Sequence, residues 1–462
     1  MSAVAEPLAT TTRVVPLVEA VELNPRPDRS ELPDALEVSF VPMAAVAAAT
    51  GRMDATAIRP FAEVKKGYTV FREGDVLFAK ITPCMENGKM AVARGLRNGV
   101  GCGSTEFHVL RPRPGVDPQY VYHFVSSASF RAEAAHHMTG AVGQKRVPAA
   151  FLETCEIPLP DLGEQRRIVA ELEKQFSRLD QAVANLKRVR ANVKRYESAV
   201  LRAAVEGRLV KTEAEVEGRE GASYETGSQL LARVLLERRR RWIGKGTYQD
   251  PAGPGAEGLP PLPEGWAWAR LDAVAALKGG ITVDKKRRDS TARSIAYLRV
   301  ANVKRGYLDL DEVKEIEAPQ TDIEELRLQP GDILFNEGGD RDKLGRGWIW
   351  EGQLAECIHQ NHVFRARPYL PEVSGKLISW WGNTFGKDYF LREGKQTTNL
   401  ASINMTKLSA FPVPIPPVAE QRRIVAEVDR RLSIVREVEA EIKANLKRTT
   451  LLRRAVLSRA FG

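Results

Sequence analysis

Eight consecutive residues, Glu164-Gln165-Arg166-Arg167-Ile168-Val169-Ala170-Glu171, recur letter for letter as Glu420-Gln421-Arg422-Arg423-Ile424-Val425-Ala426-Glu427, 256 residues later. Each copy follows an apolar-proline ladder, Ile157-Pro158-Leu159-Pro160 in the first and Val413-Pro414-Ile415-Pro416 in the second. The chain is built twice, and a unit duplicated at this length is suited to acting twice on one extended partner.

Fainter echoes lie upstream of each box. Gly74-Asp75-Val76-Leu77-Phe78 matches Gly331-Asp332-Ile333-Leu334-Phe335, a Gly-Asp turn feeding an apolar strand. His108 to Pro114 aligns with His362 to Pro368, and Gly51-Arg52-Met53-Asp54 with Gly306-Tyr307-Leu308-Asp309. Order and spacing agree, which predicts two α/β domains of one kind, diverged in the loops where specificity resides.

The boundaries follow from proline content and periodicity. Residues 1–35 read as a leader, 36–163 as the first mixed domain, and 164–245 as a central long helix with a following helical segment. Residues 246–261 read as a proline-rich linker, 262–419 as the second mixed domain and 420–462 as a C-terminal long helix.

Leu172, Leu179, Leu186, Val193 and Val200 recur every seven residues in the first helical stretch, with Ala182, Val189, Tyr196 and Ala203 as a second seam. Val428, Val435, Ile442, Thr449 and Val456 occupy the corresponding places in the second stretch. A stripe about 60 Å long would stay wet on a lone helix, so the two stretches are expected to pack against each other, antiparallel. Self-packing on each domain and an intermolecular coiled coil are the alternatives. Lys187, Arg188, Arg190, Lys194 and Arg195 form a polar face that suits solvent, phosphates or a partner subunit.

With 69 Lys plus Arg against 59 Asp plus Glu, the net charge is +10, which favours a polyanionic partner. Cys84, Cys102, Cys155 and Cys357 lie far apart with no Cys-x-x-Cys spacing, so neither a zinc site nor a disulfide framework is read from them. No basic-then-apolar N-terminal signal and no long apolar window is present. The expectation is a cytoplasmic protein with no membrane partner.

Apparent catalytic motifs dissolve on inspection. Gly382-Asn383-Thr384-Phe385-Gly386-Lys387 has its glycines one residue too close for a phosphate loop, and Asp388 stands where a magnesium-ligating hydroxyl belongs. Glu63-Val64-Lys65 and Glu312-Val313-Lys314 lack the upstream acidic partner of a nuclease metal site. There is no Gly-x-Gly-x-x-Gly after a strand, no Asn-Pro-Pro-aromatic run and no His-Glu-x-x-His. Adjacent His136 and His137 cannot share a helix face, so only His108 and His362, placed alike, are worth following.

Two divergent domains, each closed by a proline ladder and a Glu-Gln-Arg-Arg-Ile-Val box and followed by a long helix, resemble the specificity subunit of type I restriction-modification systems. The resemblance spans residues 36–462 and includes Leu262-Pro263-Glu264-Gly265-Trp266, Leu298-Arg299-Val300-Ala301-Asn302-Val303 and Ala199-Val200-Leu201-Arg202-Ala203-Ala204. The first domain departs from it, offering Val38-Ser39-Phe40-Val41-Pro42-Met43 where the second has its Leu-Pro-x-Gly-Trp start.

The resemblance implies an α+β fold: two pseudo-repeated α/β target-recognition domains joined by two long helices forming an antiparallel coiled coil. It implies a non-catalytic chain that binds double-stranded DNA, each domain reading one half of a bipartite target while the helices set the spacing. Two modification (methyltransferase) subunits would dock on it, joined by restriction subunits that translocate and cleave. S-adenosylmethionine, ATP and magnesium would belong to those partners, with no cofactor bound by this chain. A fused restriction-methylation enzyme and a pure coiled-coil scaffold are the competing classes.

Base reading needs fork-shaped and amide side chains at base edges, with cations on phosphates. On that ground the candidate DNA-binding residues are Lys80, Thr82, Asn87, Lys89, Ser104, Thr105, Gln144, Lys145 and Arg146 in the first domain. In the second they are Asn336, Arg341, Lys343, Arg346, Gln360, Asn361, Gln396 and Thr398. Gly103 to Glu106 aligns with His359 to His362, and Gln144 to Arg146 with Gln396 to Asn399.

Overall fold

The computed structural model describes all residues except 1–11, 27–30, 142, 221–222, 245, 256–257, 283–291, 340–343, 394, 397–400 and 462. The chain divides into two units, residues 1–189 with 441–462, and residues 190–440.

The first unit runs β1 (Arg13–Pro16), α1 (Leu17–Ala20), β2 (Val21–Leu23), β3 (Glu37–Val41), β4 (Ile58–Pro60), α2 (Phe61–Val64), β5 (Thr69–Arg72) and β6 (Val76–Ala79). It continues through β7 (Met90–Val92), β8 (Val100–Gly103), β9 (Phe107–Pro112), α3 (Pro118–Ser126), α4 (Ala128–His136), α5 (Ala149–Thr154) and β10 (Glu156–Leu159) into α6 (Leu162–Val205). One sheet has the order β2-β9-β6-β7 and another β4-β3-β8-β5, in which β3 and β8 are parallel. β1 and β10 form a separate antiparallel ribbon.

The leader expectation is corrected here. Residues 13–23 are woven into the domain, with Val14 opposite Pro158 in the ribbon and Val21 opposite Pro112 in the first sheet. An apolar run, Val14-Val15-Pro16-Leu17, makes this possible, since Val15, Leu17, Ala20 and Val21 are all buried.

The second unit, after the end of α6, runs α7 (Glu213–Glu220), α8 (Gly227–Arg240), β11 (Ala267–Arg270), α9 (Leu271–Val274), β12 (Ala275–Lys278), β13 (Arg293–Leu298), β14 (Lys314–Ala318) and α10 (Gln320–Leu326). There follow β15 (Ile333–Asn336), β16 (Gly338–Gly339), β17 (Gly347–Ile349), β18 (Ile358–His359), β19 (Val363–Pro368), α11 (Gly375–Thr384) and α12 (Gly386–Glu393). β20 (Lys395–Gln396), β21 (Ala401–Ser402), α13 (Met405–Ser409) and β22 (Pro412–Ile415) lead to α14 (Val418–Phe461).

The two units repeat one plan. β12-β19-β15-β17 corresponds to the first sheet, and β13 and β18 are parallel as β3 and β8 are. The ribbon β11–β22 sets Trp268 opposite Pro414, as β1–β10 sets Val14 opposite Pro158. Where the units differ, side chains follow: α8 packs over α9 and β11 in the second, leaving Ala273 5% exposed, whereas Glu19 is exposed in the first.

Each Gly-Asp turn does the same work. Gly74 and Gly331 hold φ at 87° and 95°, which glycine alone adopts without strain. Asp75 accepts the backbone N–H of Arg72 at 2.7 Å and both arms of Arg111 at 2.8 and 2.9 Å. Asp332 accepts from Gln329 N–H and from both arms of Arg367, all at 2.7 Å. Fork-on-carboxylate pairing of this kind fixes orientation as well as charge.

These bonds also correct the alignment of the histidines. Arg111 and Arg367 share one role, so Pro112 corresponds to Pro368, and His108 corresponds to Phe364 and not to His362. The same shift makes Arg146, which bridges Ile81, correspond to Ser402, which pairs with Gly338. Gln396 lies in β20 and is not the counterpart of Gln144.

Both long helices have 44 residues, about 66 Å. In the first unit Leu172, Phe176 and Ala460 cluster with Ile168, Leu179, Val456, Leu457 and Phe461, and Arg453 reaches Asp180 at 2.8 Å. In the second, Val200 and Ala204 pack with Ile424 and Val428. Both pairings are antiparallel. The expected second seam is not buried: Val189 and Tyr196 are 43% and 47% exposed. Phe176, four residues after Leu172, is the second buried position instead.

Candidate nucleic-acid interface

Three segments of the first unit meet at the end of β6. Lys80 N–H bonds Glu106 O, Val147 N–H bonds Lys80 O and Thr82 N–H bonds Lys145 O, each at 2.9 Å. The fold thus gathers Lys80, Thr82, Ser104, Thr105, Gln144, Lys145 and Arg146 around one edge. Thr105, Gln144 and Lys145 are exposed there.

Beside them opens a cleft of about 540 Å3 lined by Arg26, Tyr68, Thr69, Lys80, Thr105 and His108, among others. His108 is 5% exposed. Its Nε2 lies 2.9 Å from Val147 O, so that nitrogen carries the proton, and Nδ1 accepts from Asn24 Nδ2 at 3.0 Å. Burial holds its pKa below the usual range. Asn24, at φ 51°, also accepts the N–H of Val109 through Oδ1 at 3.0 Å. His108 therefore acts as a clasp that fixes Asn24-Pro25-Arg26 at the cleft rim.

An aromatic wall flanks the cleft. Tyr68 stands edge-on to Phe40 with centroids 5.0 Å apart, and Arg59 lies 4.1 Å over the Phe40 ring. Cations and hydroxyls next to an aromatic face are the chemistry that contacts phosphates and bases. Arg146 is mainly spent within the protein, forking onto Glu106 at 2.7 and 2.9 Å and holding that carboxyl below its ordinary pKa.

The remaining first-unit candidates lie apart from this cluster. Lys89 donates to Met43 O at 3.0 Å. Exposed Asn87 sits on the rim of a second cleft, about 690 Å3, with Arg52, Arg131, His123, Arg453 and Arg454.

In the second unit Asn336 is fully buried and donates to Val303 O at 2.9 Å, so it supports a loop and is withdrawn as a reader. Arg346 is half-buried and donates to Val300 O at 3.1 Å. Gln360 and Asn361 join β18 to β19 and are half-buried. Arg341, Lys343 and Thr398 lie outside the described residues.

Known proteins resemble this chain in sequence and in fold. Residues 19–193 match the family described as type I restriction modification DNA specificity domain. The type I restriction enzyme EcoAI specificity subunit of Escherichia coli is 29% identical over 92% of this chain and 78% of its own length. The EcoEI specificity subunit of the same organism is 26% identical over 93% and 79%.

The chain is similar to the type I specificity subunits. Its fold agrees with theirs: the HsdS subunit from Thermoanaerobacter tengcongensis superposes with a TM-score of 0.58 over 98% of this chain and 97% of that one, at 20% identity. A chain from a structure of type I R-M complex assembly and conformational transition gives 0.70 over 98% of both, also at 20% identity. Among the described residues, no helix is long and apolar enough to cross a membrane, and no cluster of three His, Cys, Asp or Glu could hold a metal.

Residue patterns alone missed several positions. Arg26 and Tyr68 have no motif, because a turn and a strand end bring them to the cleft. Exposed Tyr307 in the second unit occupies a hairpin, 303–308, equivalent to 46–53 in the first. The paired Gly51 and Gly306 echoes mark that hairpin in the sequence, but its aromatic tip was not among the candidates.

Proposed function

We propose that this chain is the non-catalytic DNA-recognition subunit of a type I restriction-modification complex, each domain reading one half of a bipartite double-stranded target. The observation that supports this best is the repetition of one strand register, β1–β10 and β11–β22, around loops that differ at the same place. One scaffold presented twice with unlike loops suits two unlike half-sites. The long helices hold the spacing, two modification (methyltransferase) subunits dock on the frame, and restriction subunits join them. S-adenosylmethionine, ATP and magnesium belong to those partners, and the complex works in the cytoplasm, where its DNA is.

The test is an adenine-methylation map of cells expressing the chain with its modification subunit, repeated with Lys80→Ala and with Tyr307→Ala. The expected result is a bipartite motif in which the first substitution relaxes one half and the second the other. A continuous motif, or loss of preference in both halves together, contradicts the reading.

A further inference from the structure

At one place the two units surround the same arginine differently. Arg111 and Arg367 occupy one register position, each forked onto the aspartate of its Gly-Asp turn. Glu22 stands opposite Arg111 on the neighbouring strand, whereas Ala276 stands opposite Arg367. Directly opposed residues of an antiparallel pair present their side chains to one face. The first unit therefore sets a second carboxylate beside its arginine, and the second unit sets a methyl group there. In the second unit α8 brings two more arginines, Arg238 and Arg241, to this place.

The result is a cleft of about 210 Å3 lined by Arg238, Arg241, Trp242, Ala276, Arg367 and Tyr369, with no carboxylate in its lining. Arg238 donates to Asp272 O at 3.1 Å, Tyr248 Oη at 2.6 Å and Gln249 O at 3.3 Å, and it has no carboxylate partner among the described residues. Arg241 donates through Nε to Glu237 at 2.5 Å, and Arg367 donates through Nε and Nη2. Among the described residues, the Nη groups of Arg241 and Nη1 of Arg367 make no hydrogen bond. Glu237 is shared between Arg240 and Arg241, so the charge at the cleft stays positive. Arg241 and Trp242 are 48% and 46% exposed, which opens the cleft to solvent. A helix C-terminus favours cations, which accounts for arginines on α8 but not for their convergence on Arg367.

Guanidinium forks match the oxygens of a phosphate group and pack well against aromatic walls. The cleft is smaller than the roughly 300 Å3 of a drug-sized pocket, which suits one phosphate with little attached and not a duplex. It also lies away from the strand end that corresponds to the Lys80 edge: Asp332, which holds Arg367, precedes Asn336 by four residues, ~13 Å along the strand. We infer that this cleft is a phosphate-binding site of the second unit, taking inorganic phosphate or the phosphate end of a small ligand such as a nucleotide. Arg241 and Arg367 hold the phosphate oxygens, and Trp242 and Tyr369 wall the group that carries them. The site does not depend on the DNA-reading role proposed above.

The experiment is isothermal titration calorimetry of the full chain at low salt with sodium phosphate and, separately, AMP, followed by competition of bound phosphate with a random-sequence duplex. Saturable phosphate binding is expected, and Arg241→Gln and Ala276→Glu should each weaken it at least about tenfold. Ala276→Glu does so by supplying the carboxylate that the first unit has at this position, with every arginine left in place. Circular dichroism monitors folding, and Arg241→Gln serves alone where the buried-side change fails to fold. AMP that binds more tightly than phosphate and is weakened by the same substitutions assigns the site to a nucleotide, and equal affinity assigns it to inorganic phosphate. A duplex that displaces bound phosphate gives the arginines to a DNA backbone and overturns the small-ligand assignment. Absence of saturable phosphate binding, or binding that survives unchanged in the folded variants, overturns the site itself.

Discussion

Gln165 accepts the backbone N–H of Asp117 at 2.9 Å, and Asp117 is the residue that caps α3. Its amide nitrogen donates to Pro160 O at 2.8 Å, at the end of the proline ladder. Gln421 repeats both bonds at 2.8 Å, to Ser374 N–H at the cap of α11 and to Pro416 O. The glutamine of each box therefore ties long helix, ladder and domain helix together.

Gln165→Ala should cost roughly 2–3 kcal/mol, since it strands a buried N–H and carbonyl oxygens, and Gln421→Ala should cost the second unit a similar amount. Denaturant titration with a fluorescence probe in each unit measures this. Equal loss in both units from one substitution would contradict the local role.

Asp75→Ala should destabilise the first unit by about 3–5 kcal/mol, because the Arg111 guanidinium is left without its buried counter-charge. Asp332→Ala should do the same to the second through Arg367. Limited proteolysis of each variant should cut first in the unit that carries the change.

Acidification should weaken both units. Burial lowers the pKa of His123 in the first and His359 in the second from 6.5 to about 4. Their folded pKa lies below the unfolded one, so the stabilisation of neutral histidine is complete above pH 6.5. It is lost as the pH falls toward 4, about 3 kcal/mol for each group. The neighbours of His123 are Tyr122, Phe176 and the cationic Arg453, which pushes in the same direction. His123→Phe should flatten the pH profile of the first unit only, and an unchanged slope in that variant would rule the account out.

Tyr68→Ala should lower the affinity of the assembled complex for its own target by about 1–3 kcal/mol if a base stacks there, with little effect on unfolding, because the ring is half-buried at a cleft. Fluorescence anisotropy on cognate and half-site-scrambled duplexes separates the two effects.

The duplication, the helix pair and the Gly-Asp strands were legible because each rests on local chemistry repeated in one chain. The β1 strand was not, since Val14-Val15-Pro16 makes a strand only opposite Ile157-Pro158-Leu159, more than 140 residues on. The histidine alignment misled because letter identity outweighed the strand register that Arg111 and Arg367 set. Of the candidate readers, those on one edge in the first unit came together. Asn336 did not, because an amide in a central strand is more useful to neighbouring carbonyls than to solvent.

In each unit the first strand lies beside the last, Arg13 opposite Leu159 and Ala267 opposite Ile415. The chain therefore enters and leaves either domain at one doorway, immediately before a long helix. Whatever lies between those two strands can be exchanged for another sequence of the same plan without re-threading the helices. Either domain is thus a cassette that can be replaced while the frame that carries it stays as it was.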